Sequence, residues 1–196
     1  MTPPLMVLVC ASANVHKVEE MNALLTDIVH LVPRPAELGE VHETGSTLLE
    51  NAVIKAEAVA AFAHADAIAD DTGLEVDALD GAPGVWSARF AGEPPSDARN
   101  RALLLERLAG IVNRSARFRT VLAIVRADGT VIHADGTCNG TIALAERGDN
   151  GFGYDSVFIP NDGDGRTFAE LSSDEKNAMS HRARAVVALR ELLPTP

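Results

Sequence analysis

Short apolar runs and segments of helical period alternate along the chain. The run at positions 5–10 is continuously apolar and predicts a buried strand, and the stretch 12–17 behind it is mainly polar. Apolar residues then recur at helical spacing, at Val18, Met21, Leu24 and Leu25. The pattern therefore predicts a strand, a polar loop and a helix, in that order.

A second helix is indicated by its start signal. Thr47 and Glu50 have the spacing of a capping box, and the alanine-rich run behind them predicts a helix to about His64. Residues 67–69 and 74–76 are typical of two short strands, with the polar break 70–73 between them. We therefore expect the acidic pair of this break to lie at strand ends.

The second half of the chain predicts an antiparallel part. The dipeptide Asp128-Gly129, flanked by the apolar segments 118–125 and 131–135, is a strong hairpin signal. The remaining expected elements are a helix at 96–109, a strand at 137–145, a glycine-rich loop at 148–153 and a closing helix at 180–193 with Ala183, Val186, Val187 and Leu189 inward. The whole predicts an α/β fold with a mixed sheet and flanking helices, in a single domain spanning residues 1–196.

Composition and charge narrow the function classes. The net charge of -11 on 196 residues repels polyanions, so we expect no nucleic acid polymer as a partner and no binding to an anionic membrane. No apolar run approaches the ~20 residues of a membrane span, and positions 1–4 lack the basic flank of a secretory signal. These features predict a cytoplasmic protein, in which Cys10 and Cys138 are buried thiols.

Lysine is rare here and each one is a candidate. The chain has three, Lys17, Lys55 and Lys176, against 14 arginines. They could be solvated surface side chains, or point charges around a polyphosphate, for which an ammonium group is well suited. The residues alone favour neither interpretation.

The adjacent carboxylates of Asp70 and Asp71 predict a cation site. Two neighbouring anions repel each other unless a cation lies beside them, although aspartates are also common in surface turns. Glu43, in the loop before the alanine-rich helix, could add a second oxygen ligand. Carboxylate oxygens without His and Cys spacings favour magnesium over zinc.

The loop at 148–155 could bring backbone close to a ligand, and Phe152 offers a ring for stacking on a base. It does not match the dinucleotide fingerprint, because position 156 is serine, and no Walker-type phosphate loop occurs in the chain. The acidic run 162–165 lacks the glutamate that a calcium loop needs at position 173.

Taken in order, these segments resemble the inosine triphosphate pyrophosphatase family, also called Ham1-like or non-standard purine triphosphate pyrophosphatases. The resemblance covers nearly the whole chain and is carried by Ser12-Ala13-Asn14-Val15-His16-Lys17, Glu43-Thr44-Gly45, Glu50-Asn51-Ala52, Lys55-Ala56, Ala69-Asp70-Asp71-Thr72-Gly73-Leu74, the run 81–92, Phe152-Gly153-Tyr154-Asp155, Lys176-Asn177 and Ser180-His181-Arg182. The departures are few: Ser12 and Thr72 interchange hydroxyl types, Trp86 replaces a usual tyrosine, and Ser156 stands where proline is frequent.

The resemblance implies two lobes with the nucleotide in a central cleft, Mg2+ as cofactor, and a homodimer. It implies that Asp71 activates water and, with Glu43, holds magnesium, and that Thr72 contacts the substrate. The implied triphosphate contacts are Ser12, Ala13, Asn14, Val15, His16, Lys17 and Lys55. The implied base contacts are Phe152, Gly153, Tyr154, Asp155, Lys176, His181 and Arg182.

The implied activity is hydrolysis of inosine, deoxyinosine and xanthosine triphosphates to a monophosphate and pyrophosphate. Cationic donors suit the 6-oxo acceptor of these bases and leave an unpaired donor against adenine, which costs about 1–3 kcal/mol. Two alternatives stay open at this point. One is a non-catalytic nucleotide sensor, and the other is a magnesium phosphohydrolase with another nucleotide substrate.

Overall fold

The computed structural model describes residues 5–193. Positions 1–4, which entered the expectation about a secretory signal, and positions 194–196 lie outside the described residues. The helices are α1 (Val15–Leu25), α2 (Leu48–Ala63), α3 (Asp97–Arg107), α4 (Ser173–Asn177) and α5 (His181–Leu192). The strands are β1 (Met6–Cys10), β2 (Val29–Val32), β3 (Ala67–Val76), β4 (Pro83–Gly84), β5 (Ser115–Val125), β6 (Val131–Ile142) and β7 (Phe158–Pro160).

The strands within residues 5–193 form one mixed sheet in the order β2-β1-β3-β5-β6-β7, with β4 paired to β3. β1 pairs in parallel with β2 and with β3, whereas β3 pairs antiparallel with β4 and β6 antiparallel with β7. The predicted α/β fold with a mixed sheet and flanking helices is confirmed. None of the helices in this part of the chain combines the length and the apolar character needed to cross a membrane.

The chain divides into two compact units, each built from several segments. The first unit contains the described residues up to Asp71, the segment Thr120–Gly136 and the described residues from Arg182 onwards, and the second unit contains Thr72–Arg119 and Thr137–His181. The first unit has two apolar clusters and the second has one large cluster, which includes its phenylalanines Phe118, Phe158 and Phe168. Each unit therefore buries apolar residues of its own, which is the main source of its stability.

The prediction of two strands around residues 70–73 is wrong. β3 runs without interruption from Ala67 to Val76, so Asp70 and Asp71 lie in the middle of a strand and not at strand ends. Gly73 does not end the strand. A Cβ atom at this position would lie 2.6 Å from the carbonyl oxygen of Gly84 on β4. Its lack of a side chain lets the two strands approach closely.

Other local predictions are corrected in smaller ways. β6 continues through position 136, so the strands expected at 131–135 and 137–145 are one element. Val187 on α5 is 60% exposed, although its spacing suggested an inward position. The short elements β2, β7 and α4 were not predicted, since each has too few residues to show a period. The hairpin prediction is confirmed, with the amide of Gly129 donating to the carbonyl of Arg126 between β5 and β6.

Candidate active site

The first unit arranges its charged residues around the two faces of β3. Successive side chains of a strand point to opposite faces, so Asp70 and Asp71 diverge. Ile68, two residues before Asp70, packs in a cluster with Leu25 of α1 and Leu189 of α5, whereas Ala69, two before Asp71, packs with α2. One carboxylate therefore faces α1 and α5, and the other faces α2.

Asp70 lies in a buried network of ion pairs on its face of the strand. Its Oδ2 atom is 3.2 Å from Lys17 Nζ and accepts a hydrogen bond of 2.8 Å from Arg182 Nη2. Arg182 also donates through Nη1 to Glu20, which stands one turn after Lys17 on α1. The side chains of Asp70 and Arg182 are both fully buried. Asp70 is thus balanced by cations of the chain itself.

Asp71 has a different cation on the opposite face. Lys55 Nζ of α2 is 2.7 Å from Asp71 Oδ1 and 3.2 Å from Glu43 Oε1. The two carboxylates therefore converge on one ammonium group. The structure brings together Glu43, Lys55 and Asp71, three residues that the sequence placed in a phosphate and metal site.

Burial and charge shift the acidity of this cluster in opposite directions for the two aspartates. Burial raises the pKa of Asp71, and the neighbouring Lys55 and Lys17 only partly offset it. Burial also acts to raise the pKa of Asp70, but Lys17 and Arg182 outweigh it and hold that pKa well below its usual range. Lys55 loses hydration on burial, yet the attraction of Asp71, Asp70 and Glu43 leaves its pKa raised. Its ammonium group is therefore charged at neutral pH.

The loop at 12–17 is shaped by its own polar side chains. The Ser12 hydroxyl accepts from the amide of Asn14, and Asn14 Oδ1 accepts from the amides of His16 and Lys17 at 3.0 and 3.3 Å. Asn14 is thus the N-cap of α1. Lys17 consequently lies in the first turn of this helix, whereas the sequence predicted it at the end of a loop.

The neighbouring residues of this loop are open to solvent. Ala13 and Val15 make no contribution to the core, and Val15 is 65% exposed. His16 is exposed, and its Nδ1 atom lies 3.6 Å from Glu19 Oε2. Backbone amides at a helix N-terminus favour an anion. The start of α1 and Lys17 thus both favour an anion, while the amides of Asn14, His16 and Lys17 are already paired within the loop.

Gly45 fixes the loop that carries Glu43. Its amide donates to Asn51 Oδ1 at 2.8 Å, and a Cβ atom at position 45 would lie 2.6 Å from both Asn51 Oδ1 and the Cβ atom of Glu50. Thr47 and Glu50 form the predicted capping box at the start of α2. The loop therefore lies directly against the first turn of the helix that bears Lys55.

The donor set suits a hard divalent cation. Within residues 5–193 no group of three or more His, Cys, Asp or Glu side chains is placed to hold a metal. Glu43 and Asp71 nevertheless present two carboxylates to one point, and magnesium is commonly bound by one or two carboxylates, with waters and substrate phosphates as its other ligands. The residues present fit that cation.

The second unit holds most of the residues predicted to contact a base. Lys176 Nζ donates to Asp155 Oδ2 at 2.6 Å, and the amide of Phe152 donates to the same oxygen at 3.0 Å. Lys176 is only 5% exposed, with its ammonium 4.9 Å from the ring centre of Phe152. Gly151 has a positive φ, and a Cβ atom there would lie 2.2 Å from Asp155 Oδ2. Phe152, Asp155 and Lys176 thus form one cluster.

His181, Tyr154 and Thr72 also belong to the second unit. His181 is buried and stacks on Phe118, with ring centres 4.6 Å apart. The Tyr154 hydroxyl donates to the carbonyl of Ser87 at 2.9 Å, and burial raises its pKa above the usual range. Thr72 is half-buried. Arg182 is in the first unit, where it binds Asp70 and Glu20.

Several residues of these clusters had no signal in the sequence. Glu20 follows another glutamate on α1 and has no distinguishing local pattern. Its contact with Arg182 joins positions 162 residues apart. The pattern around Phe118 predicts only a strand. Asp97 and Arg101 of α3 bind the backbone of Gly153 from a distance of more than 50 residues along the chain. Such partners emerge only from the folded chain.

Comparison with known proteins gives a consistent picture. The family model of the Ham1 family matches residues 8–192. The chain is 48% identical to a dITP/XTP pyrophosphatase of an Exiguobacterium species, over 96% of this chain and 98% of that protein, and 50% identical to a dITP/XTP pyrophosphatase of Aromatoleum aromaticum, over 96% of each. A solved HAM1 protein from Coxiella burnetii superposes with a TM-score of 0.85 at 40% identity, over 96% of this chain and 98% of that one.

Proposed function

The chain belongs to the Ham1 family, and on that premise we propose that it hydrolyses non-standard purine nucleoside triphosphates to a monophosphate and pyrophosphate. The substrates are the triphosphates of inosine, deoxyinosine and xanthosine. The names of the relatives, which are dITP/XTP pyrophosphatases at 46–50% identity, support this substrate class. Removal of such nucleotides would keep the nucleotide pool free of them.

One observation carries the chemical part of the proposal. Lys55 Nζ lies within 3.2 Å of both the Glu43 and the Asp71 carboxylates. Burying an ammonium group beside two carboxylates costs free energy because each charge loses hydration, so such a cluster is more typical of a functional site than of a stabilising one. A triphosphate and a divalent cation together bring both signs of charge that this cluster can bind.

The triphosphate is assigned to the cations and amides of the first unit. Lys17 and Lys55 are the ammonium groups, and the Ser12 to His16 stretch supplies hydroxyl and main-chain donors at the start of α1. The pairing of each lysine with an aspartate fixes its direction before the substrate arrives. Preorganised cations stabilise the charge that develops in phosphoryl transfer.

Magnesium is the cofactor of the proposal, held by Glu43 and Asp71. When bound, it would neutralise phosphate charge and polarise the phosphoryl oxygen atoms. The two carboxylates would then be shared between this cation and Lys55. Lys55 would keep both carboxylates oriented while it also binds the triphosphate.

Asp71 is assigned as the general base. Its carboxylate takes a proton from a water molecule as the water oxygen bonds to the α-phosphorus, and the bond between the α-phosphorus and the bridging oxygen breaks to release pyrophosphate. Burial raises the pKa of Asp71, which makes it a better proton acceptor than a solvated aspartate. Thr72, the next residue on β3, is assigned to the substrate as well.

The base is assigned to the second unit. Phe152 offers a ring for stacking, with Asp155 and Lys176 bound in one cluster beside it. The Gly153 to Asp155 backbone and His181 are assigned as further polar contacts of the base. A 6-oxo base gives these donors an acceptor, whereas the amino group of adenine would not. Arg182 stays a predicted base contact. Its guanidinium is held by two carboxylates, so it would have to exchange one of them.

The predicted homodimer and cytoplasmic location are also part of the proposal. The net charge of -11 supports a small-molecule substrate over a nucleic acid polymer or an anionic membrane. Sedimentation of the purified protein would give its mass against the 20.7 kDa of one chain.

The decisive experiment is a product assay. The purified protein is incubated with inosine, deoxyinosine, xanthosine, adenosine and guanosine triphosphates, with and without magnesium, and pyrophosphate and free phosphate are measured separately. The proposal expects pyrophosphate from the first three, at rates at least about tenfold above adenosine triphosphate, and none without a divalent cation. Release of free phosphate would point to another phosphohydrolase.

A variant separates an enzyme from a sensor. Asp71→Asn should lose turnover by at least about a hundredfold because the proton acceptor is gone, while binding of inosine triphosphate by calorimetry persists. Asp80→Asn is the matched control, an exposed aspartate whose change leaves the side chain shape the same. Equal activity of the two variants would contradict the assignment of Asp71.

A further inference from the structure

The backbone of Gly153 is held from both sides by one helix. Its amide donates to Asp97 Oδ2 at 2.8 Å, and its carbonyl accepts from Arg101 Nη1 at 2.8 Å. Asp97 and Arg101 are four residues apart on α3, so they share one face of the helix. The two peptide groups that flank Gly153 are therefore fixed by a carboxylate and a guanidinium.

Arg101 is itself held by a second carboxylate. Its Nε atom donates to Glu146 Oε2 at 2.7 Å, and the Ser156 hydroxyl donates to the same oxygen at 3.0 Å. Arg101 is thus bound by Glu146 on one side and by the Gly153 carbonyl on the other. Hydrogen bonds thus connect Ser156 to Glu146, Glu146 to Arg101, and Arg101 to Gly153, and so link the two ends of the turn 153–156.

Ser156 has a part in this network that proline could not take. A proline at this position would restrict the backbone but offer no hydroxyl group. Here the Ser156 hydroxyl restrains the turn through Glu146.

The other restraints on this turn do not use the amide or the carbonyl of Gly153. Phe152 and Asp155 are linked by two hydrogen bonds, from the Asp155 amide to the Phe152 carbonyl and from the Phe152 amide to Asp155 Oδ2. Neither bond involves Gly153. Gly153 has a φ of 59°, and apart from its chain neighbours no heavy atom of the described residues lies within 4 Å of the place where a Cβ atom would be.

From this geometry we infer that Asp97 and Arg101 are positioning residues for base recognition, acting through the Gly153 peptide groups. The inference deepens the proposed function and rests on it. A turn 152–155 that is held in one conformation keeps the polar groups beside it at fixed positions against every base, which is what discrimination by hydrogen bonding requires. Arg101 and its partners Glu146 and Gly153 all belong to the second unit.

The test is the variant Arg101→Gln, measured with inosine and adenosine triphosphates. We expect the KM for inosine triphosphate to rise about five- to tenfold and its preference over adenosine triphosphate to fall by a similar factor, since one charged hydrogen bond is lost. The kcat for inosine triphosphate should change less than twofold. Arg101→Lys, which keeps the charge, should recover part of the loss.

Arg99→Gln is the matched control on the same helix. Arg99 is exposed and its guanidinium donates to the carbonyl of Pro94, so its loss removes a charge from α3 without touching Gly153. Asp97→Ala is the second variant and removes the acceptor of the Gly153 amide. Like Arg101→Gln, it should raise the KM for inosine triphosphate and lower the preference over adenosine triphosphate. The test therefore does not depend on one variant folding well.

Amide hydrogen exchange of a peptide covering 150–156 gives a readout that needs no turnover. Arg101→Gln and Asp97→Ala should exchange faster there than wild type and Arg99→Gln. If wild type releases no pyrophosphate from any purine triphosphate, the proposed function fails while this measurement still tests the restraint on Gly153. If wild type is active but Arg101→Gln keeps both its KM and its base preference, the inference is overturned. A loss of kcat and thermal stability at unchanged KM would overturn it too, because it would mean a structural role alone.

Discussion

Arg182 is among the largest fully buried side chains of the described residues, and it carries a charge. It is fully buried, donates to Asp70 at 2.8 Å and contacts Glu20 with its other terminal nitrogen. Substitution by methionine keeps most of the volume and removes the charge. Two carboxylates then lose a common partner in the core of the first unit.

The expected cost follows from what remains around each carboxylate. Removing one partner of a buried ion pair costs about 3–5 kcal/mol. Asp70 keeps Lys17 at 3.2 Å, and the Glu20 side chain is 15% exposed, so part of each charge stays compensated. We therefore expect about 3 kcal/mol for Arg182→Met. At about 2–4 °C per kcal/mol for a domain of this size, the Tm should fall by about 6–12 °C.

Arg190→Met is the matched control. Arg190 lies on the same helix and binds Asp27 through two nitrogens at 2.7 and 2.5 Å, but the Arg190 side chain is 36% exposed and the Asp27 side chain is 59% exposed. Exposed pairs contribute about 0–1 kcal/mol. The two variants are compared by urea unfolding and calorimetry at pH 7. If both variants lose the same free energy of unfolding, burial of the Asp70 network does not add to the cost of removing its arginine.

Three further predictions concern the same unit. Lys55→Gln removes the ammonium group between Glu43 and Asp71 and should lower kcat for inosine triphosphate at least about a hundredfold, measured by pyrophosphate release; a loss confined to KM would show that the group only binds substrate. Asp70→Asn should be less stable than wild type by a constant amount from pH 5 to 8. Because the folded pKa of Asp70 lies below its unfolded value of about 3.9, the stabilisation is complete above that value and is lost as the pH falls towards the folded pKa, so the gap should narrow below about pH 4 in unfolding curves recorded across pH. Gly45→Ala puts a methyl group 2.6 Å from Asn51 Oδ1 and should cost about 1–3 kcal/mol in urea unfolding, with the activity reduced as the Glu43 loop shifts; an unchanged midpoint would mean that this loop is not tightly fixed.

The sequence by itself determined the elements with a clear local cause. The capping box of Thr47 and Glu50 starts α2 where expected, and the Asp128-Gly129 turn joins β5 to β6. Such signals depend on residues within one turn of each other, so neighbours along the chain are sufficient. The order of motifs also determined the family, because a set of short segments in one order is far more specific than any of them alone.

The tertiary structure alone decided how the charges are shared. The sequence treated Asp70 and Asp71 as one cation site, but a strand sends them to opposite faces, where Lys17 and Arg182 meet the first and Lys55 meets the second. Ion pairs and backbone contacts between segments far apart in the chain depend on where each strand and helix is packed. That packing results from burial of apolar surface throughout each unit, and no local pattern of residues encodes it.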